Sequence, residues 1–76
     1  MKIRFDNEKF SNLVKEKMFT QMAKEKRRIG LREFSKKIGV STSTISRVEN
    51  GKLPDVETFY KICWWMNKSA DYFFKR

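Results

Sequence analysis

A chain of 76 residues has room for one domain with a modest hydrophobic core, and little room for an enclosed active site. Its 18 lysines and arginines outnumber its 9 acidic residues, and the net charge of +9 favours a polyanionic partner, either nucleic acid or an anionic membrane surface. A basic surface that only maintains solubility is the alternative. The single cysteine and the absence of histidine exclude an internal disulfide and leave no residues to complete a metal site, so no metal or cofactor is expected.

No part of the sequence resembles a targeting or membrane segment. The first ten residues lack the apolar core of a signal peptide, and no stretch approaches the ~18 apolar residues of a membrane span. We therefore expect a soluble protein in the reducing cytoplasm. An enzyme is disfavoured, because the sequence offers no histidine, no glycine-rich phosphate loop and no nucleophile beside a base.

The N-terminal third of the chain predicts a short arm followed by a long helix. Residues 1–7 are charged and mixed, which is typical of a frayed end, with a basic arm carrying Lys2 and Arg4 as the alternative. Over residues 8–28 there is no proline or glycine, and apolar residues recur at spacings of three and four. This apolar stripe consists of Phe10, Leu13, Val14, Met18, Met22 and Ile29. Gly30 is expected to end the helix by adopting a left-handed backbone.

Residues 31–50 predict two short helices joined by a tight turn. The first runs over residues 31–38 and ends at Gly39. Ser41 is a natural N-cap for the second, which runs over residues 42–50. The residues of this pair that are expected to face inward are Phe34, Ile38, Val40, Ile45 and Val48.

The outward side of the second of these helices has an unusual composition. Thr42, Ser43 and Ser46 are poor helix formers, and their hydroxyls compete for backbone hydrogen bonds. Alanine, glutamate or lysine would stabilise an exposed helical face better. Short hydroxyl side chains beside one long donor, Arg47, instead indicate a surface that approaches another molecule closely.

The C-terminal third predicts a fourth helix and a short fifth one. Asp55 is the expected N-cap of the fourth helix, and Glu57 in its first turn complements the positive end of the helix dipole. Ser69 is expected to cap a last helix over residues 70–74. The expected inward stripe of the fourth helix is Val56, Phe59, Ile62, Cys63 and Met66.

Five helices, short connections and no strand signal predict an all-α domain. Its C-terminal end carries more aromatic residues than a small core can hide, and an exposed apolar patch usually marks an interface. These residues are Tyr60, Trp64, Trp65, Tyr72, Phe73 and Phe74.

Two short helices joined by a glycine-containing turn, in a basic all-α domain, match the helix-turn-helix pattern. The phrases that carry the match are REFSKKIGVS at residues 32–41, TISRVENGK at 44–52, PDVETF at 54–59 and SADYFF at 69–74. On these residues the sequence resembles the phage repressor and Cro (XRE) family of bacterial helix-turn-helix regulators. The resemblance implies a five-helix repressor-like domain, here with an extended first helix.

The resemblance also implies a role for each residue of the helix pair. The helix over residues 31–38 would lie across the DNA backbone, and residues 42–50 would be the recognition helix in the major groove. The residues that it places at base edges are Thr42, Ser43, Ser46 and Arg47. The residues that it places at phosphates are Leu31, Arg32, Ser41, Thr44, Asn50, Gly51 and Lys52. For Arg47, a bidentate contact to guanine and a plain phosphate contact are equally open.

Three features depart from the family pattern or add to it. Members often have glutamine where this chain has Leu31, so that only the backbone N–H at this position could bind a phosphate. Glu49 corresponds to a structural acid that pairs with a basic residue of the first helix, and Lys24 is the candidate. The apolar stripe of the first helix is out of step with the family's, which implies an extended or shifted helix.

We therefore predict an N-terminal arm at residues 1–7 and a DNA-binding domain at residues 8–76, with the helix-turn-helix at residues 31–50. The expected function is sequence-specific binding of double-stranded DNA as a small transcriptional regulator, in the first instance a repressor. An antitoxin, or a protein-interaction module that uses the aromatic C-terminal surface, is the alternative. The resemblance favours a homodimer through the C-terminal helices, and neither a membrane nor a small-molecule ligand is expected.

Overall fold

The computed structural model describes residues 3–75, which form four α-helices, one turn of 3-10 helix and a two-stranded ribbon. In chain order the elements are β1 (Arg4–Phe5), α1 (Asn7–Glu25), α2 (Leu31–Ile38), α3 (Thr42–Glu49), α4 (Val56–Met66), the 3-10 helix (Ala70–Phe73) and β2 (Phe74–Lys75). The helix α1 packs against α3, α4 and the 3-10 helix, and α2 packs against α3 and α4. The predicted all-α character is therefore correct in outline, and the short fifth helix that was predicted is one turn of 3-10 helix rather than an α-helix.

The two ends of the described chain meet in the ribbon, which the sequence did not predict. The strands β1 and β2 run antiparallel, with Arg4 opposite Lys75 and Phe5 opposite Phe74. The N–H of Asp6 continues the pairing by donating to the carbonyl of Phe73 at 2.6 Å. The expectations of a frayed end and of a fifth helix reaching residue 74 are wrong for these residues. The alternative of a basic arm falls partly on Lys2, which lies outside the described residues.

Aromatic packing explains why the ribbon forms. The ring of Phe5 lies 5.6 Å from that of Phe10 and 5.2 Å from that of Phe59, measured between centroids. Phe73, which is fully buried, lies 5.1 Å from Phe10 in an edge-to-face arrangement. Each terminal strand thus brings a phenylalanine to one aromatic cluster, and that burial outweighs the low propensity of so short a pair of strands.

The end of α1 differs from the prediction for a local reason. Asp6 caps its start by accepting from the N–H of Lys9, and its 19 residues span about 28 Å. The helix ends at Lys26, which adopts the left-handed conformation with φ 54°, so Gly30 is not the terminator. Gly30 is extended and serves as the N-cap of α2. Because α1 ends here, the following residues can turn back toward the core, where Ile29 is buried.

The core is a single cluster shared by all the helices. Its buried apolar residues are Phe10, Val14, Met18, Ile29, Phe34, Ile38, Ile45, Val48, Phe59, Ile62, Cys63, Met66 and Phe73. Cys63 is the buried apolar residue that the sequence predicted, and burial raises the pKa of its thiol to about 11. Val56 was expected here too, but it is exposed because Thr58 and Phe59 cover the core side of the first turn of α4.

Two phenylalanines of α1 test this division between core and surface. Phe10 is fully buried whereas Phe19 is 72% exposed. We expect Phe10→Ala to lower the free energy of unfolding by about 3–5 kcal/mol, because it removes a core side chain and leaves a cavity. Phe19→Ala should change it by no more than about 0.5 kcal/mol. Urea unfolding followed by circular dichroism measures both, and equal losses would contradict the packing described above.

Candidate nucleic-acid interface

The turn between α2 and α3 is held by backbone and side-chain hydrogen bonds. Gly39 adopts φ 90°, and both its N–H and that of Val40 donate to the carbonyl of Ser35, at 2.8 and 3.0 Å. From α4, the ammonium of Lys61 donates to the carbonyl of Gly39 at 3.0 Å. Ser41 caps α3 as the sequence predicted, accepting from the N–H of Thr44 at 3.1 Å. The angle between the two helices is therefore fixed by local chemistry on both sides of the turn.

The helix α3 divides cleanly into a buried and an open side. Ile45 and Val48 are buried against the core. Successive residues of a helix are about 100° apart, so Ser43 and Asn50, the C-cap of α3, lie on the side opposite these two residues. Both are exposed. Ser46 and Arg47 lie on either side of Ser43 and Asn50 around the helix. Arg47 is exposed, whereas Ser46 is half-buried. Three of the four predicted base-contact residues thus share one outward face.

Thr42, the fourth predicted base-contact residue, has a different environment. It lies near the boundary of the outward face, and its hydroxyl is 3.3 Å from that of Ser35 across the turn. Ser41 and Thr44 are also engaged locally, with their hydroxyl oxygens 2.7 Å apart. The hydroxyl of Ser43 lies 3.3 Å from that of Ser41 and points from the middle of the open face. Ser43 is therefore the exposed hydroxyl residue at the centre of the open face, and its hydroxyl keeps capacity for an external partner.

A first flank of this face is basic and lies beside the start of α4. Arg47, Thr44 and Lys52 line one surface hollow together with residues 53–55. The connector is shaped by Gly51, with φ 81°, and by the N–H of Lys52, which donates to the carbonyl of Arg47 at 3.0 Å. Asp55 caps α4 as predicted, and its hydrogen bonds with Thr58 lower the pKa of the Asp55 carboxyl. The arrangement brings two cations to one edge of α3.

The opposite flank is formed by α1, and the sequence reasoning missed it. Ser11 is buried and donates to the carbonyl of Val48 at 2.9 Å. The side-chain amide of Asn7 donates to the carbonyl of Gly51. These two bonds tie the start of α1 to the end of α3. A buried serine between Phe10 and Val14 was the available signal, because a polar side chain on the core side of a helix needs a partner there.

The predicted ion pair between Glu49 and Lys24 is wrong for reasons of distance. Ser11 lies beside the end of α3, and Lys24 follows it thirteen positions later, about 20 Å further along α1. The basic residue of α1 that shares a hollow with Glu49, Asn50 and Gly51 is Lys15. Lys15 is therefore the cation of α1 that lies next to the outward face, in a hollow that Glu8 and Glu49 also line.

The start of α2 offers backbone groups and one cation. Gly30 has no side chain to cap the helix, Leu31 is half-buried and Arg32 is exposed. The first turn of any helix presents N–H groups without intrahelical partners, and these favour an anion. The structure thus places the expected phosphate-contact residues on three neighbouring segments, the start of α2, the start of α3 and the connector after α3.

A network of ion pairs fixes the end of α1 against α2. Arg27 contacts Glu33 through both terminal nitrogens and lies 2.8 Å from Glu25, and Lys37 lies 3.1 Å from Glu25. Hydrogen bonds from Gln21 and Lys37 hold the pKa of Glu25 down to about 2, and the guanidinium of Arg27 lowers that of Glu33. Arg27 and Lys37 are consequently paired with carboxylates, although both are exposed, whereas Arg28, Arg32 and Lys36 are exposed and take no part in this network.

This network predicts a pH dependence. A depressed carboxyl pKa stabilises the folded state fully above the ordinary value of 4.5, and the contribution is lost as the pH falls toward about 2. We expect Glu25→Gln to be less stable than the wild type near neutral pH, and the difference to shrink between pH 4.5 and 2. Urea unfolding over that range measures it. Glu16→Gln, the same charge change elsewhere on α1, is the control, and an identical pH profile for both variants would contradict the assignment.

Neither a metal site nor a membrane span is found among residues 3–75. No group of three or more His, Cys, Asp and Glu side chains is arranged to hold a metal ion in that part of the chain. None of the helices described is both long enough and apolar enough to cross a bilayer.

Comparison with known families gives one match. A family model described as helix-turn-helix matches residues 13–73, which covers most of the chain and includes α2, the turn and α3. No curated protein and no solved structure matches. The match agrees with the helix pair described above, with its glycine turn, and with the resemblance inferred from the sequence. The chain belongs to the XRE-type helix-turn-helix family of DNA-binding regulators.

Proposed function

We propose that the protein is a sequence-specific double-stranded DNA-binding regulator that acts as a repressor, with α3 in the major groove and α2 across the backbone. The observation that carries the proposal is the open side of α3, where Ser43, Ser46 and Arg47 are turned away from the core and flanked by Lys52 and Lys15. Such short polar side chains on an exposed helix contribute little to stability, and a major groove admits a helix of this kind. The protein then works where its DNA is, in the cytoplasm, without catalysis and without a cofactor.

The proposed contacts divide into base readers and phosphate binders. Ser43, Ser46 and Arg47 read base edges, and Thr42 contributes its methyl group, because its hydroxyl is close to that of Ser35. The phosphate binders are Leu31, through its backbone N–H, Arg32, Ser41, Thr44, Asn50, Gly51 and Lys52. Few strong readers and many phosphate contacts imply a binding constant that falls steeply as salt is raised.

The protein is also proposed to act as a homodimer through its C-terminal helices. A two-fold dimer presents two recognition helices about 34 Å apart, on successive major grooves of one DNA face. The exposed aromatic residues Tyr60 and Trp64 support an interface at this end. They equally support the second candidate function, an antitoxin or protein-interaction module on the same scaffold.

Selection of bound sequences from a random double-stranded DNA pool tests the proposed function. We expect enrichment of one motif made of two symmetric half-sites. Enrichment of a single half-site would support DNA reading without the dimer. No enrichment at low salt, where non-specific electrostatic binding is strongest, would refute the function and favour the protein-interaction module.

Ser43 gives a direct test of where the DNA lies. Ser43→Asp places a carboxylate in the first turn of α3, where it favours the helix dipole, so the fold should be retained. The same carboxylate faces the phosphates in the proposed complex, and we expect an affinity loss of about 30-fold or more, the size of a repulsive charge in an interface. Ser69→Asp, at the cap of the 3-10 helix and beyond the far end of α4, is the matched control. Fluorescence anisotropy with the selected DNA measures both, and equal affinities would place the DNA elsewhere.

Substitution of Arg47 distinguishes base reading from phosphate binding. We expect Arg47→Ala to weaken binding to the selected site by about 5- to 100-fold, as for the loss of one bidentate base contact. If Arg47 reads guanine, discrimination at one base position is lost. If it binds only phosphate, all sequences are weakened alike and the salt slope falls by about 1.

The control for Arg47 is a lysine that points away from the proposed interface. Lys9→Ala removes the same charge from α1, where the ammonium of Lys9 lies 4.1 Å from the centroid of the Tyr72 ring. We expect less than a twofold loss beyond the uniform electrostatic effect of one charge. Equal losses for the two variants would show that only net charge matters.

A further inference from the structure

One side of α4 lies along the helix-turn-helix, with a lysine at its middle. Thr58, Lys61 and Trp65 follow one another at spacings of three and four, so they share one side of α4. Thr58 is buried and lines the hollow that Arg47 of α3 also lines. The ring of Trp65 lies 5.9 Å from that of Phe34 in α2, in an edge-to-face arrangement. Lys61 lies between Thr58 and Trp65 and reaches the turn that joins α2 to α3.

The ammonium of Lys61 binds the carbonyl at the point where the chain leaves α2. It donates to the carbonyl oxygen of Gly39 at 3.0 Å. Gly39 is the C-cap of α2, and a carbonyl at this position has no N–H of its own helix from which to accept. The C-terminal end of a helix also carries a partial negative charge, which an ammonium offsets. The bond therefore joins α4 to the first residue of the turn.

The rest of the Lys61 side chain is held as well. A Cβ atom placed on Gly39 would lie 4.0 Å from the Cδ of Lys61, an ordinary van der Waals distance, so the stem of the lysine runs beside the turn. The ammonium also lies 3.5 Å from the carboxylate of Glu57, one turn earlier on α4. Ordering a lysine side chain costs conformational entropy, and a lysine that served solubility alone would stay mobile. The arrangement is therefore that of a structural contact rather than of a free surface charge.

The other hydrogen bonds of the turn come from within the helix pair. The N–H groups of Gly39 and Val40 both donate to the carbonyl of Ser35, which closes the end of α2. Across the turn, the hydroxyls of Ser35 and Thr42 are 3.3 Å apart. Hydrogen bonds from a charged donor are roughly twice as strong as those between neutral groups. Lys61 thus supplies a charged contact that holds the turn from outside the pair.

We infer that Lys61 is a positioning residue for DNA binding, which acts by holding the turn through the carbonyl of Gly39 and not by binding DNA itself. A turn held from α4 presents α3 in one orientation before DNA arrives, so little ordering remains to be done on binding. When the turn opens in part of the population, the apparent affinity falls with the fraction that remains competent. This inference rests on the proposed function, because it concerns the helix that is proposed to enter the major groove.

Amide hydrogen exchange of the free protein tests the contact without DNA. Lys61→Met removes the ammonium and keeps an unbranched stem beside the turn. We expect exchange at the N–H groups of Gly39 and Val40 to become about tenfold faster, because a charged hydrogen bond no longer opposes local opening. Exchange at the N–H of Asp6, which donates to the carbonyl of Phe73 in the terminal ribbon, should change by less than about twofold.

DNA binding tests the consequence, with Lys68→Met as the matched control. Lys68→Met removes the same charge beyond the far end of α4, where its ammonium lies 4.9 Å from the centroid of the Tyr72 ring. We expect Lys61→Met to weaken binding to the selected site about three- to tenfold more than Lys68→Met does, because the turn is less well ordered. Affinity for random DNA and the salt slope should match those of the control, since no phosphate contact is lost. Circular dichroism checks that each variant is folded.

The results that overturn the inference are separate from those that refute DNA binding. Unchanged exchange at Gly39 and Val40 in Lys61→Met overturns it, and so does an equal acceleration at Asp6, which would show only a loss of overall stability. Equal losses on selected and random DNA, with a salt slope lower by about 1, would assign Lys61 to a phosphate and overturn it as well. Equal affinities of Lys61→Met and Lys68→Met for the selected site have the same consequence. If the wild type binds no DNA, the proposed function is refuted, and exchange in the free protein decides whether Lys61 holds the turn.

Discussion

The fold depends on a short helix that does not have the composition to stand alone. The eight residues of α3 include four serines and threonines, all of them exposed or half-buried, and isolated helices of this length are unstable in water. Its stability comes from outside: burial of Ile45 and Val48, the Ser41 cap at one end, and the bonds of Ser11 and Asn7 to the carbonyls of Val48 and Gly51 at the other. Because these contacts all lie on the inner side and at the ends, the outer side is free to carry residues chosen for contact rather than for helix formation.

Some of the acidic residues form ion pairs or helix caps within the fold. Glu25 and Glu33 are used to clamp Arg27 and Lys37 at the junction of α1 and α2, and Asp55 and Glu57 lie at the start of α4. Arg47 and Lys52 remain at one edge of α3 and Lys15 at the other. The net charge gives only the sum, whereas the fold pairs four of the charged residues at the junction of α1 and α2 and places Arg47, Lys52 and Lys15 beside α3.

The features that the sequence predicted well are those encoded within a few residues. The caps at Ser41 and Asp55, the glycine turn at Gly39 and the inward pair Ile45 and Val48 follow from local propensity and periodicity, and the structure confirms each of them. For the candidate site, this means that the outward side of α3 could be read from the sequence directly, apart from the bond that occupies the hydroxyl of Thr42.

The features that could not be predicted from the sequence depend on contacts between distant parts of the chain. The ribbon joins residues 4–5 to residues 74–75, and two-residue strands have no periodicity to detect. Lys26 takes the left-handed position that a glycine would be expected to take, because burial of Ile29 sets where α1 must end. The flank formed by Ser11 and Lys15 belongs to α1, which lies outside the sequence phrases that carried the resemblance, so the packing of α1 on α3 was needed to reveal it.

The chemistry of the outward face gives a reason for the proposed two-fold arrangement. Hydroxyls discriminate bases weakly, and one bidentate arginine contact is worth about 1–3 kcal/mol, so a single copy of this helix falls short of the roughly 4–10 kcal/mol that separates specific from non-specific binding. Two copies held in a fixed relation double the discrimination and require both half-sites at a set spacing. In the proposed dimer, rigidity of the interface matters as much as contact, because a loose pairing of the copies would weaken binding at the second half-site. A surface built from large aromatic side chains, which have few rotatable bonds, meets that requirement better than one built from long flexible side chains.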